Sequence, residues 1–168
     1  MDWRKAHKPA APRNRSDGGF SLIELLVVVA VILIIAAIAI PNYIQSKMRA
    51  NEASAAQSLR NIATAELVYS TTYGIDFTDN LLKLSGNGIN PDPNNAGLID
   101  AVLASGIKQG YKISYTPLTK DAQGYTATFS LTADPMSPST GQVHFYTDQT
   151  CVIRSNVSVQ AGPTDAPL

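Results

Sequence analysis

Residues 18–41 read GGFSLIELLVVVAVILIIAAIAIP, a long apolar run that begins directly after two glycines. All sixteen residues from 25 to 40 are apolar, and the segment 20–40 is interrupted only by Ser21 and Glu24. Twenty-one helical residues span about 31 Å, close to the thickness of the hydrocarbon core of a bilayer. The segment 20–40 therefore predicts a transmembrane helix.

The residues before this run have a different character. Residues 1–19 carry five Lys or Arg and two Asp, a net charge of +3, while the remaining residues sum to −3. A polar, proline-containing leader of this kind is expected to be disordered. Basic flanks stay on the cytoplasmic side of a membrane, so the charge indicates a single-pass protein with a cytoplasmic N-terminus. Beyond residue 19 no dense patch of Lys and Arg indicates nucleic-acid binding.

The next segment, 41–74, predicts an amphipathic continuation of the same helix. Pro41 removes a backbone N–H, so we expect a kink or a weak turn there. Gly74 is expected to end the helix. The apolar stripe consists of Met48, Ala55, Leu59, Ile62, Tyr69 and Tyr73, with Ala56 and Ala63 beside it.

After the helix the pattern becomes irregular and then alternates. Residues 75–109 predict a loop with two short helices, one over 79–84 capped by Thr78 and one over 97–104. Residues 110–154 alternate apolar and polar side chains, which predicts three or four antiparallel strands with one buried face. The apolar members are Tyr111, Ile113, Tyr115, Tyr125, Ala127, Phe129, Leu131, Val143, Phe145, Cys151 and Ile153.

The predicted fold class is therefore α+β. A long N-terminal helix packs its outer half on a small antiparallel sheet of three or four strands. Residues 155–168 are expected to be a frayed C-terminal tail.

Reactive side chains are sparse. Cys151 is interpreted as a buried strand residue and not as a nucleophile. His144 is expected to point outward from a strand, with no second histidine for a metal site. The loop Asp and Asn residues could bind calcium, but turn formation explains them better. The sequence thus predicts no catalytic residue, cofactor or metal, and hence no enzyme.

The position of the small residues is unusual for a secretory signal. A conventional signal is cut after its apolar region, whereas here Gly18 and Gly19 precede it. This N-terminus resembles that of type IV pilins and of the similar pseudopilins of type II secretion. The resemblance implies a pilin fold, cleavage after Gly19 by a prepilin peptidase, and N-methylation of the new first residue, Phe20, by the same enzyme.

The resemblance also implies how the chain assembles. Glu24 of one subunit would pair with the Phe20 amine of a neighbour, which would set the register in a medium of low dielectric constant. The alternative is that Glu24 reaches the headgroups and is solvated there. Pro41 matches a proline near which the helices of the family often lose regularity in filaments.

Three functions follow as hypotheses. The first is a structural prepilin of a type IV pilus for adhesion, motility or DNA uptake. The second is a pseudopilin of a type II secretion system, and the third is a membrane-anchored periplasmic domain that binds or acts without polymerising. Either filament implies copies of the chain and other pilins, a platform protein, an assembly ATPase and an outer-membrane secretin as partners. The chain would move from the inner membrane to a surface pilus or a periplasmic pseudopilus.

Overall fold

The computed structural model describes residues 19–86 and 90–168. The chain divides into two units, Met1–Ile40 and Pro41–Leu168, and the second is called the head below. The predicted long helix is present as α1, Leu22–Tyr73, which contributes residues to both units. The leader, apart from Gly19, lies outside the described residues.

Within the head, α1 buries most of the predicted apolar stripe, while Met48 and Tyr73 are partly buried. Ala55, Leu59, Ile62 and Tyr69 are all buried in the core. The helix ends where the sequence predicts, because Gly74 adopts a left-handed φ of 64° that a side chain would disfavour. Glu66 lies in the same stripe and is also fully buried, which the sequence pattern did not predict.

The two short helices of the loop are shorter than predicted. They are α2, Leu81–Leu84, and α3, Ala101–Ala104. Their caps are Asn80 and Asp100, whose side chains accept hydrogen bonds from backbone N–H groups in the first turn. The prediction that Thr78 caps the first helix was wrong, because the Thr78 hydroxyl bonds to the Glu66 carboxylate instead.

The α+β fold class is confirmed, with an antiparallel sheet of five strands in sequence order. Two of the strands are only two and three residues long, which explains why the alternating pattern predicted three or four. The strands are β1 Ile107–Lys108, β2 Tyr111–Lys120, β3 Thr126–Pro135, β4 His144–Asp148 and β5 Arg154–Asn156.

One end of the β2–β3 hairpin departs from the predicted alternation. Phe129 and Leu131 face the core as expected, but Tyr125 is exposed and Thr126 is buried in its place. The pairing of β2 with β3 shifts register between Pro117 and Lys120. A bulge moves side chains to the opposite face of a strand, so the prediction of a buried Tyr125 was wrong.

The prediction of a strand at Cys151–Ile153 was also wrong. Cys151 has a left-handed φ of 58° and its N–H donates to the Asp148 carbonyl, so it lies in a turn. Because of this turn, the last strand begins only at Arg154 and ends at Asn156.

The last residues are folded back and not frayed. Ala161 is buried, and the Leu168 N–H donates to the Ile153 carbonyl at 2.9 Å. The Ser155 N–H donates to the Ala166 carbonyl at 3.1 Å. These contacts lay the tail along the edge of the sheet at β5.

Candidate processing and assembly site

The first turn of α1 contains the acidic residue singled out in the sequence. The Glu24 carboxylate accepts a hydrogen bond from the backbone N–H of Ser21 at 2.8 Å through Oε2. Ser21 precedes the first helical residue, Leu22, so Ser21 and Glu24 have the spacing of a capping box. In the single chain the helix terminus itself therefore provides a donor for this carboxylate.

The predicted cleavage site lies just before that turn. Gly19 and Phe20 have no regular secondary structure. Phe20 is 94% exposed, and no atom lies within 4 Å of where a Gly19 side chain would begin. The bond between them is therefore sterically open, and after cleavage the Phe20 amine would lie four residues before Glu24.

The first unit exposes its apolar side chains. From Leu22 to Ile40 every side chain is exposed except that of Ala36, which is intermediate. Among the described residues, one helix is long and apolar enough to cross a membrane, and it is α1. A surface of this kind is unstable in water and requires lipid or other apolar helices around it.

Pro41 lies inside α1, seventeen residues beyond Glu24 in the sequence, and helical residues continue on both sides of it. Gly19 and Phe20 thus directly precede the turn that contains Glu24, while Pro41 belongs to a later part of the helix. The kink or weak turn expected at Pro41, and its role in assembly, stay predictions.

The remaining candidate side chains, His144 and Cys151, lie in the head. His144 does not simply face solvent, because its Nδ1 lies 2.6 Å from Asp134 Oδ1. The other Asp134 oxygen accepts from Gln160 at 2.8 Å. In residues 19–86 and 90–168, no three His, Cys, Asp or Glu side chains gather where they could hold a metal ion. Burial raises the pKa of the Cys151 thiol, which disfavours a reactive thiolate.

Comparison with known proteins identifies the family. Residues 14–40 match the model of the prokaryotic N-terminal methylation motif. A fimbrial protein of Pseudomonas aeruginosa is 34% identical in an alignment of 122 positions that covers 62% of this chain and 79% of that protein. The type IV major pilin PilA of Myxococcus xanthus is 51% identical over 55 residues. The chain belongs to the type IV pilin family.

The other similarities cover less of the relatives. The match to the Myxococcus pilin spans 33% of this chain and 24% of that pilin. The wide-pilus major component PilA4 of Thermus thermophilus is 35% identical over 81 residues, 48% of this chain and 61% of that protein. No solved structure matches the chain significantly.

Sequence reasoning missed two residues of the pilin that the structure brings forward. Ser21 could have been found, because Ser-x-x-Glu directly before an apolar run is the capping-box signature. Glu66 could not, because its spacing in an amphipathic helix does not show that Thr78 returns to bond to it.

Proposed function

We propose that this pilin is made as a prepilin, cut between Gly19 and Phe20, and polymerised through its N-terminal helix into a pilus. It has no catalytic role in this proposal. The observation that carries it is the capped acidic turn at Glu24 at the start of the exposed apolar segment 22–40. Copies of this helix bundled together would replace lipid as the apolar environment of residues 22–40.

The carboxylate of Glu24 has the chemistry for the register contact. A charge in a membrane span costs about 2.5–3.5 kcal/mol at the centre, and a charged partner offsets part of that cost. A carboxylate accepts through two oxygens, so the Ser21 N–H on Oε2 leaves capacity for the Phe20 amine of a neighbouring copy. A single favourable pairing distance would then fix how far adjacent subunits slide along each other.

The partners and the location follow from this mechanism. A membrane peptidase that also methylates Phe20 would process the precursor, and the chain would wait in the inner membrane with its N-terminus in the cytoplasm. Because extraction of an apolar helix from lipid requires work, assembly would involve an ATPase and a membrane platform protein. A surface filament would leave through an outer-membrane secretin.

The relatives are a major pilin, a wide-pilus component and a fimbrial protein, which favours the pilus over a secretion pseudopilus. Shearing cells and probing the released fibres for this chain tests the choice. Fibres that contain the chain support the pilus, whereas secretion that depends on a chain confined to the periplasm would favour the pseudopilus.

A pair of substitutions separates capping from charge pairing at Glu24. Glu24→Gln retains a side-chain acceptor for the Ser21 N–H but removes the charge, and Glu24→Ala removes both. We expect both variants to be processed, and both to yield at least about tenfold fewer sheared filaments, the factor that a loss of about 1.4 kcal/mol would produce. The measurement is immunoblotting of the sheared fraction against total cell protein.

Gln57→Ala, on the exposed face of the head helix, is a matched control and should assemble normally. Abundant filaments from Glu24→Gln, with few from Glu24→Ala, would show that Glu24 acts as a cap and not as the partner of an amine. Normal filaments from both would remove Glu24 from assembly altogether.

A further inference from the structure

A cavity of about 390 Å³ opens in the head beside the C-terminal end of α1. This volume lies in the range of about 300–1,000 Å³ typical of small-molecule sites. Four of the twelve aromatic residues of the chain line it, namely Tyr69, Tyr73, Phe77 and Tyr125. All four rings lie in the head, outside the segment 20–40 through which assembly is proposed.

Two side chains of α1 that lie one turn apart form hydrogen bonds to two different segments of the cavity lining. The Glu66 carboxylate accepts from the Thr78 backbone N–H at 2.9 Å and from its hydroxyl at 2.5 Å. The Tyr69 hydroxyl donates to the Pro93 carbonyl at 2.9 Å. Thr78 and Pro93 both line the cavity, so a buried acid and a buried phenol keep two loop segments in place.

The sheet fixes the third part of the lining. The Phe77 N–H donates to the Thr126 carbonyl at 2.9 Å, which attaches the loop to β3. Tyr125 is turned out of the core by the β2–β3 register shift, and its N–H donates to Asp121 Oδ1 at 2.8 Å. Walls held by hydrogen bonds before a ligand arrives lower the entropic cost of binding.

The polar lining carries one spare positive charge. Lys83 pairs with Asp79 at 3.1 Å, so those two charges compensate each other. Lys120 also lines the cavity and forms no ion pair within residues 19–86 and 90–168. Asn94 adds an amide that can both donate and accept hydrogen bonds.

We propose that this cavity binds one residue of an acidic saccharide. A sugar ring has an apolar C–H face that would stack on the exposed ring of Tyr125 and the half-buried ring of Tyr73, and hydroxyls that would bond to Asn94 and Asp79. Its carboxylate would bind the ammonium group of Lys120 through a charge-assisted hydrogen bond. Single-stranded nucleic acid also stacks on aromatic rings, but it requires a groove of cations along its backbone, and this cavity offers one uncompensated cation.

The test titrates the purified full-length chain in detergent with glucuronic acid and with glucose, which differ in the carboxylate. Binding is followed by saturation-transfer NMR of the sugar protons. We expect glucuronic acid to bind several-fold more tightly than glucose, because only its carboxylate can pair with Lys120, whose exposed ammonium group is partly screened by solvent. Lys120→Gln should abolish this preference.

Matched variants identify the cavity as the place of binding. Lys112→Gln removes an exposed lysine from the same strand outside the cavity and should leave the preference unchanged. Tyr125→Ala should weaken both sugars, while Tyr125→Phe, which retains the ring, should restore binding. Thermal unfolding of each variant shows that the head is intact.

Equal binding of the two sugars, or a preference that survives Lys120→Gln, would overturn the proposal. A single-stranded oligonucleotide that binds through Lys120 and Tyr125 while glucuronic acid does not would overturn it in favour of nucleic acid. Filament yield is scored separately on the Glu24 variants, so a failure of assembly and a failure of saccharide binding are distinguishable.

Discussion

Glu66 is the residue whose environment is least expected from the sequence. It is fully buried in the head, where the N–H and hydroxyl of Thr78 donate hydrogen bonds to it. Burial raises the pKa of Glu66 above its ordinary value near 4.5, and hydrogen bonds from Thr78 and Tyr115 oppose only part of the increase. The carboxyl is therefore more easily protonated in the folded chain than in the unfolded one.

This difference predicts how stability changes with pH. Between the ordinary pKa of 4.5 and the higher pKa of the folded state, the folded chain binds more protons than the unfolded chain. The contribution of Glu66 to the free energy of unfolding is therefore largest below that window and falls as pH rises through it. In urea titrations at several pH values, the wild type should lose stability relative to Glu66→Gln as pH rises.

A difference between the two proteins that stays constant with pH, or that grows in favour of the wild type as pH rises, would contradict this account. Thr78→Val provides a companion variant, because it removes the hydroxyl donor and leaves the backbone N–H. It should cost about 1–3 kcal/mol of stability. It should also raise the pKa of Glu66 further, since that hydrogen bond lowers it.

Among the structural elements, the tail after β5 depends most clearly on contacts with other parts of the chain. Asp165 accepts from the Gly162 N–H at 2.8 Å and from the Asn156 side chain at 3.0 Å. Arg154 donates to the Asp165 main-chain carbonyl at 2.8 Å. Cys151 is the single cysteine of this chain, so no disulfide within the chain closes this region. Hydrogen bonds around Asp165 perform the closure here.

Asp165→Ala is expected to release the tail without unfolding the sheet. Loss of two hydrogen bonds should cost about 1–3 kcal/mol locally. Hydrogen exchange measures the effect directly, because the amides of Ser155 and Leu168 bond to the Ala166 and Ile153 carbonyls. Both amides should exchange faster in the variant.

Asp92→Ala is the matched control, since Asp92 accepts from a backbone N–H in a separate loop turn. Tail amides that stay protected in Asp165→Ala would contradict the assignment. Faster exchange of the same two amides in Asp92→Ala would also contradict it, because the effect would then not be specific to the hydrogen bonds of Asp165.

Some elements of the fold could be predicted from the sequence, and others could not. The bounds of α1, its end at Gly74 and the interior of β3 follow from periodicity and a left-handed glycine, which are local properties. The outward turn of Tyr125 and the return of the tail to β5 depend on strand register and on partners many residues away. No local pattern contains that information.

The processing and assembly site could be predicted from the sequence, whereas the aromatic cavity could not. Gly19, Phe20 and Glu24 lie within six residues, so motif spacing was enough to predict their grouping. The Ser21 N–H as the donor to Glu24 also follows from local helix capping. The aromatic cavity joins α1, the loop and the β2–β3 hairpin, and it became visible only when long-range contacts brought these elements together.

At the scale of the whole molecule, the two units differ in how much of their apolar surface they expose. The head contains one buried core to which both helix and sheet contribute apolar side chains, whereas the large apolar side chains of residues 22–40 are exposed along the whole segment. A protein built in this way is stable when lipid, or neighbouring copies, cover the first unit. Retention of that segment in the mature protein is therefore the central claim of the account.

Intact-mass and N-terminal peptide mass spectrometry of the protein from sheared filaments tests this claim most directly. The account predicts a mature chain that lacks residues 1–19 and begins at a methylated Phe20, and an unprocessed precursor when Gly19→Ala alters the cleavage site. A native chain that begins beyond Ile40, or one that retains Met1 in assembled filaments, would contradict it.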